Sequence, residues 1–319
     1  MPTRIVEVFF TAAMVLALAG PAVAGATNEV RVVATIKPLH SLVAAVMQGV
    51  GAPHLLVDGA RSPHDYRLRP SDARALNKAD VIFRVSPQLE TFLTRTTQSL
   101  PSTVELVTLI NLNSIAVFSK RTGLSFESHE HHEEHERHEN DHHARKRQDA
   151  HVWLSPSNGR LMTKHIASVL AKRWPAHATT FENNAERLIV QIEAINKDIG
   201  AQMEKLAASR FVVFHDAFQY FERSFGLRAT GAISIRPDTP PGAKRLLAIR
   251  RSIRDLKVQC VFSEPQFRAR VIDTVIEGMD VGKGVLDPVG AKLTPGPKLY
   301  VQLMQNLATG FEDCLGKAR

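Results

Sequence analysis

Two separate series of alternating strands and helices constrain this fold more than any other feature of the sequence. Short runs rich in β-branched and aromatic residues alternate with amphipathic stretches, first between residues 31 and 109 and again after residue 209. Strands that alternate with helices in this way are typical of a parallel sheet covered by helices on both faces. The sequence therefore predicts an α/β protein with two lobes, each containing a parallel sheet flanked by helices.

One long helical pattern lies between the two series. From about Pro175 to Ala208, apolar residues recur at steps of three and four, and charged residues occupy the other face. At about 1.5 Å per residue, such a helix would be roughly 45 Å long and could join the lobes. We expect a signal peptide, an N-terminal lobe, a rigid linking helix and a C-terminal lobe, at residues 1–24, 25–174, 175–208 and 209–319.

The first residues are typical of a secretory signal peptide. Arg4 precedes the apolar run Val8–Ala19, and small residues at Ala22 and Ala24 provide a cleavage site. The run is short for a membrane-spanning helix, and the alternative of a buried N-terminal helix leaves the Ala-Val-Ala site unexplained. We expect export to the periplasm with cleavage after Ala24, and no lipid anchor, because no cysteine follows that site.

The two cysteines, Cys260 and Cys314, are expected to form a disulfide. An exported chain enters an oxidising compartment, where an even number of cysteines is commonly paired. A metal site built on this pair would need more nearby ligands than the sequence offers.

The formal net charge of +8 raises the question of a nucleic-acid partner. The Lys and Arg residues are scattered, however, and aromatic residues make up only 6% of the chain, so no stacking platform is indicated. We expect no nucleic-acid partner, and we expect the chain to act as a monomer.

Four polar side chains stand near the ends of predicted strands or at the turn into a helix, where parallel α/β sheets place their ligands. His64 follows HLLVD, His215 directly follows RFVVF, and Asp287 ends KGVLD. His151 lies at a turn that leads into a helix. Two of the four belong to each lobe, so a cleft between the lobes would gather them. Three imidazoles and one carboxylate suit Zn²⁺, whereas a Mn²⁺ site would be expected to carry more carboxylates.

A denser group of histidines interrupts the first lobe. The stretch SHEHHEEHERHENDHHARK has no apolar face, so we expect a mobile loop at about residues 127–147. Its histidines are expected to be accessory metal sites of low affinity: His129, His131, His132, His135, His138, His142 and His143. The alternative is a solvated loop with incidental affinity for metals.

Several motifs, in order along nearly the whole chain, resemble the substrate-binding proteins of high-affinity zinc ABC importers, the ZnuA family. These motifs are TIKPLHSLVAAV, SPHDYRLRPSD, AHVWLSP, FHDAFQYFERSFGL, FSEPQF and LDPVG. The resemblance implies two α/β lobes joined by a rigid helix, with the metal between them. It also implies that His64, His151 and His215 are ligands, and the manganese-carrying relatives have a glutamate where this chain has His215.

The resemblance leaves the fourth ligand open. Some zinc-binding members have a glutamate directly before the first histidine, where this chain has Pro63. Asp287 aligns with an aspartate ligand of the manganese-binding branch, so either Asp287 or a water would complete the tetrahedron. The cysteine pair also resembles a disulfide of some zinc-type members, and the histidine-rich stretch resembles their variable charged loop.

Two carboxylates close to His215 in the sequence, Asp216 and Glu222, are candidates for orienting its imidazole. Outer carboxylates commonly accept a hydrogen bond from the ring nitrogen that does not bind the metal.

The main functional hypothesis is a non-enzymatic carrier that binds Zn²⁺ between its lobes and delivers it to an inner-membrane permease driven by a cytoplasmic ATPase. The sequence contains no GxxxxGK[ST] phosphate loop, so we do not expect the chain to be that ATPase. Three alternatives are a carrier of manganese or another divalent metal, a periplasmic zinc buffer, and a secreted zinc hydrolase. The hydrolase is disfavoured because the HExxH motif is absent.

Overall fold

The first lobe is built on a four-stranded parallel sheet. The structure, a computed structural model, describes residues 29–121, 126, 148–234, 241–267 and 270–317. The sheet has the spatial order β2-β1-β3-β4 and contains β1 (Val32–Ile36), β2 (His54–Val57), β3 (Val81–Arg84) and β4 (Glu105–Thr108). The same lobe contains α1 (Lys37–Val46), α2 (Pro70–Lys78) and α3 (Pro156–Arg173).

The second lobe repeats this topology. Its parallel sheet has the order β6-β5-β7-β8 and contains β5 (Phe211–His215), β6 (Ala229–Ser234), β7 (Cys260–Ser263) and β8 (Gly282–Val285). Its helices are α5 (Gln219–Ser224), α6 (Ala243–Asp255) and α7 (Arg270–Ile276). The predicted fold class is confirmed. In each lobe the first strand lies between the second and the third, and this is the point at which such sheets bind ligands.

One long helix, α4 (Ala178–Glu204), joins the lobes. It follows the short 3-10 turn Pro175–His177 and buries one apolar face, as its periodicity predicts. The helix packs against α1 and α3 of the first lobe and against the C-terminal helix α8 (Leu299–Leu315). Within the part of the chain that the structure describes, no helix has the length and apolar character needed to cross a membrane.

The C-terminal helix α8 contacts both lobes. The predicted disulfide is present and joins Cys314 on this helix to Cys260 on β7. At the other end of α8, the backbone N–H of Tyr300 donates to Ser41 Oγ (2.9 Å), and its hydroxyl donates to the carbonyl oxygen of Trp153 (2.8 Å). Buried apolar residues of both lobes belong to one continuous hydrophobic cluster. The lobes therefore share a core rather than meeting only at a surface.

Replacing Gly159 with alanine is expected to destabilise the protein. Alanine favours a helix over glycine by about 1 kcal/mol, but a Cβ at this position in α3 would overlap the phenol hydroxyl of Tyr300 and lie 2.7 Å from its Cζ. Tyr300 is fully buried and hydrogen-bonded, so the overlap should cost about 1–3 kcal/mol. Thermal unfolding should therefore show a lower Tm for Gly159→Ala.

A matched control is Gly200→Ala in α4, where the Cβ meets no atom within 4 Å. This substitution should leave the Tm unchanged or raise it. Equal effects of the two substitutions would contradict this packing argument.

Candidate metal centre

Three of the four predicted ligands converge between the lobes. His64 lies in the loop after β2, His151 lies in the turn before α3, and His215 is the last residue of β5. The Nε2 atom of His151 is 3.4 Å from that of His64 and 3.3 Å from that of His215. One ring nitrogen from each histidine lies within 4.8 Å of the other two. The histidines of the 127–147 stretch lie outside the described residues.

Local hydrogen bonds explain how two of these side chains are placed. The backbone N–H of His64 donates to Ser62 Oγ (3.2 Å), which shapes the loop after β2. The backbone N–H of His151 donates to Asp149 Oδ1 (3.0 Å), two residues earlier in the chain. The third, His215, needs no loop of its own because it ends a fully buried strand at the centre of its sheet.

Two buried carboxylates bind the Nδ1 atoms of two of the three imidazoles. Nδ1 of His151 is 2.6 Å from Asp149 Oδ1, and Nδ1 of His215 is 2.6 Å from Glu264 Oε1. With the Nδ1 proton donated to the carboxylate, the lone pair of each ring is on Nε2, which is the nitrogen that faces the other histidines. Two such lone pairs 3.3 Å apart repel each other, so this arrangement favours a cation at their meeting point.

The expected role of Asp216 and Glu222 is wrong. Both carboxylates bind the guanidinium of Arg121 instead, and Glu264 is the residue that orients His215. Glu264 directly follows β7 as His215 ends β5, but only the pairing of these two strands, which the sequence does not reveal, brings the two side chains together.

The pKa values follow from burial and from the neighbouring charges. Burial, followed by the proximity of the other histidines, places the pKa of His64 and of His151 well below the usual value. Burial also lowers the pKa of His215, but the charge of Glu264 and its hydrogen bond outweigh this effect and raise the pKa overall. Burial raises the pKa of Glu264, and it raises that of Asp149 to about 7. A cation in the centre would favour the ionised form of both carboxyl groups.

The cavity at the three imidazoles is very small. Its volume is about 10 Å³, close to the least that holds one water-sized particle. The rest of its wall is largely apolar and comes from both lobes, and it includes Pro63, Trp153, Gln266, Phe267, Pro288 and Val289. A centre of this size suits a small ligand such as a metal ion better than a large organic molecule.

The fourth predicted ligand, Asp287, is not brought into the group of three. Its Oδ1 accepts hydrogen bonds from Gln266 Nε2 (2.7 Å) and from the backbone N–H groups of Val289 and Gly290. Its Oδ2 accepts one from the backbone N–H of Ala291. In this structure, the carboxylate therefore organises the loop that supplies one wall of the cavity.

The loop after Asp287 is also bound from the first lobe. The buried ammonium of Lys37, at the start of α1, donates to the carbonyl oxygens of Gly290 (3.3 Å), Ala291 (3.0 Å) and Leu293 (3.0 Å). The indole N–H of Trp153, also in the first lobe, donates to the carbonyl oxygen of Pro288 in the same loop (2.8 Å). These contacts between the lobes hold the loop that supplies Pro288 and Val289 to the cavity wall.

The donor set defines what the centre can bind. Neutral imidazoles are borderline-soft ligands that suit Zn²⁺, and a site for a hard cation would use more oxygen donors. Carboxylates behind two of the ligands fix the ring orientation and increase the basicity of the ligand nitrogen. Geometry, burial and donor type thus describe a centre for one transition-metal ion with nitrogen ligands.

Comparisons with known proteins agree with this description. The family model "ZnuA: Zinc-uptake complex component A periplasmic" matches residues 32–314. The high-affinity zinc uptake system protein ZnuA of Brucella suis biovar 1 (strain 1330) is 40% identical over 331 residues, with 98% of each chain covered.

Solved structures share the fold. A crystal structure of ZnuA superposes with a TM-score of 0.73 at 19% identity, and the match covers 89% of this chain and 98% of that one. The SBP FpvC from Pseudomonas aeruginosa in complex with Mn²⁺ gives a TM-score of 0.77 at 20% identity, covering 92% and 100% of the two chains. At these identities the likeness concerns the fold alone.

Proposed function

Because the chain belongs to the ZnuA family of periplasmic zinc-uptake components, we propose that it is a solute-binding protein that captures Zn²⁺ between its two lobes. The observation that carries this proposal is the convergence of three imidazole Nε2 atoms on a cavity sized for one ion. Zinc is the cargo of this centre rather than a resident cofactor. The protein delivers it to an ABC-type import permease in the inner membrane, which a cytoplasmic ATPase drives.

The donor set favours zinc over manganese. His64, His151 and His215 supply three nitrogen atoms, and Zn²⁺ binds nitrogen ligands more strongly than Mn²⁺ does. We propose that a water molecule is the fourth ligand. Asp287 would have to exchange its hydrogen bonds to the 289–291 backbone and to Gln266 for a bond to the metal. With water as the fourth ligand, Asp287 keeps these hydrogen bonds and the cavity wall keeps its structure.

Delivery requires export of the chain to the compartment of the permease. We propose that residues 1–24 direct this export and are cleaved after Ala24, so that the protein acts in the periplasm as a monomer. The family description supports the periplasmic location. Under this proposal, the histidine-rich stretch at 127–147 collects zinc weakly and is not needed for the tight site.

The size of the cavity argues against the hydrolase alternative. A zinc hydrolase needs an open coordination position that a substrate can reach, and it needs a general base near the metal-bound water. The cavity volume of about 10 Å³ is far smaller than a peptide or an ester, so such a substrate could reach the metal only after the cavity had opened. The nearby carboxylates, Asp149 and Glu264, are each hydrogen-bonded to a histidine Nδ1. They are therefore engaged in orienting the ligands and are poor candidates for the general base.

The experiment that tests the proposal is a zinc titration of two forms of the chain, one complete from residue 25 and one that also lacks residues 127–147. We expect one tight zinc site per chain in both forms, because the three ligands lie outside the deleted stretch. The complete form should bind additional zinc weakly. Calorimetry in the presence of a competing chelator measures both classes of site, and an excess of Mn²⁺ should not displace the tightly bound zinc.

Other results would support other functions. Loss of the tight site in the shortened form would favour the buffer, with the lobes serving as a scaffold. Displacement of zinc by Mn²⁺ would favour the manganese carrier. Zinc-dependent hydrolysis of peptide or ester substrates by either form would contradict the carrier.

A further inference from the structure

A segment of the first lobe crosses to the second lobe beside the metal centre. This crossing segment (residues 116–121) lies against helix α5. The backbone N–H of Phe118 donates to the hydroxyl of Tyr220 (3.0 Å), and the side chain of Gln219 donates to the carbonyl oxygen of Ser119 (3.1 Å). The rings of Phe118 and Tyr220 are 4.8 Å apart, and the guanidinium of Arg223 lies 4.2 Å from the Phe118 ring.

The end of the crossing segment is held by two ion pairs. The guanidinium of Arg121 binds both oxygens of Asp216 and both oxygens of Glu222, with distances that include 3.0 Å from Nε to Asp216 Oδ2 and 2.6 Å from Nη1 to Glu222 Oε2. Its side chain is only 18% exposed, and Glu222 is fully buried. Glu222 also accepts the backbone N–H of Ala229, the first residue of β6 (2.9 Å). Arg121 therefore joins the crossing segment to both α5 and the second sheet.

These contacts connect the crossing segment to two of the proposed metal ligands, His151 and His215. Asp216 immediately follows His215 in the chain. On the other side, the hydroxyl of Tyr220 donates to the carbonyl oxygen of Asp149 (2.7 Å), whose carboxylate holds Nδ1 of His151. The backbone N–H of Asp149 donates to the carbonyl oxygen of Phe118 (2.8 Å). One connected set of bonds thus fixes a ligand of the first lobe relative to a ligand of the second.

We propose that Arg121 is a positioning residue for metal binding, which holds the two lobes in the register that brings His151 and His215 together. Its side chain contacts Asp216, Glu222 and Phe126 and none of the three ligand rings. Its two ion pairs stabilise the closed arrangement of the lobes and so set the rate at which bound zinc is released. This inference rests on the proposed zinc-carrier function and adds that Arg121 controls how long the ion stays bound.

The test compares zinc release from the wild type, Arg121→Gln, Arg121→Lys and Tyr220→Phe. Stopped-flow mixing of the zinc-loaded protein with an excess of a chromogenic chelator measures the dissociation rate. We expect Arg121→Gln to release zinc on the order of 10-fold faster, at the lower end of the effects of outer-shell changes. Arg121→Lys should recover part of the difference, because a lysine keeps the charge but not the bidentate geometry.

One further measurement and one control variant separate positioning from general stability. The visible spectrum of the Co²⁺-loaded protein should be unchanged in Arg121→Gln, since all three ligands remain. The matched control is Arg160→Gln, which removes an exposed ion pair with Glu193 that includes no residue of the crossing segment; it should release zinc at the wild-type rate. Tyr220→Phe removes one hydroxyl without leaving an unpaired charge and should also speed release, so it carries the test if Arg121→Gln does not fold.

Each outcome bears on one of the two proposals. If the wild type binds zinc tightly but the Arg121 and Tyr220 variants release it at the wild-type rate, the positioning role is wrong and the carrier function stands. A lower Tm with an unchanged release rate would likewise overturn the positioning role. If the wild type itself binds no zinc, both proposals fail.

Discussion

Replacing His215 with alanine is expected to remove tight zinc binding. If roughly 10–16 kcal/mol of zinc binding is shared among four ligands, each supplies about 2.5–4 kcal/mol. At 1.4 kcal/mol per tenfold change, the dissociation constant should rise on the order of 100- to 1,000-fold. Competition with a fluorescent zinc chelator measures this change. Because the substitution also leaves Glu264 buried without its imidazole partner, circular dichroism should accompany the titration to verify folding.

Two other substitutions make this result specific. His64→Ala changes the only half-buried ligand of the three, so it should weaken zinc binding to a similar degree with less effect on the fold. His54→Ala removes an exposed histidine at the start of β2 and should leave zinc binding unchanged. Retention of wild-type affinity in both His215→Ala and His64→Ala would place the zinc site elsewhere in the chain.

Neutralising both carboxylates behind the ligands is expected to weaken zinc binding nearly as much as losing a ligand. In the double variant Asp149→Asn, Glu264→Gln, each histidine keeps an oxygen acceptor for its Nδ1 proton, while each carboxylate loses its charge and its second oxygen becomes an NH2 group. The second oxygens of Asp149 and Glu264 are buried without a hydrogen-bond partner among the described residues. The two negative charges together balance the double charge of one Zn²⁺ in a buried site, where an unbalanced charge is costly.

Outer-shell changes of this kind typically reduce affinity 10- to 100-fold each, so the double variant should lose on the order of 1,000-fold. Competition titration measures the loss, and the single variants reveal whether their effects add. The matched control replaces two exposed carboxylates of α4, Glu186→Gln and Asp198→Asn. An affinity close to that of the wild type in the Asp149/Glu264 variant would mean that charge balance contributes little and that ring orientation alone is sufficient.

The parts of the site that sequence reasoning found are those that depend on local pattern. His64 and His215 are candidates because each stands next to a short apolar run, and parallel sheets bring the ends of such runs together; the resemblance to the ZnuA family then singles them out as ligands. The alternation of strands and helices likewise predicted both sheets. These features are encoded within a few residues, so no knowledge of strand order was needed.

The parts that sequence reasoning missed depend on which strands are neighbours. Glu264 reaches His215 because β7 pairs with β5, although 49 residues separate the two side chains. Asp287 also follows a strand, but β8 is an edge strand, two positions from β5 and hence about 10 Å away. Asp216 and Glu222 are close to His215 in sequence, yet both bind Arg121, a residue of the other lobe.

The apolar core shared by the two lobes slows their spontaneous separation. Separating the lobes exposes buried surface to water at about 25 cal/mol per Å², so each 100 Å² adds about 2.5 kcal/mol to the work of opening. An increment of that size slows spontaneous opening by nearly two orders of magnitude. A receptor that binds the separated lobes more tightly than the closed ones lowers this barrier by its difference in affinity. The ion is then released mainly where that receptor is located, and premature loss in transit is suppressed.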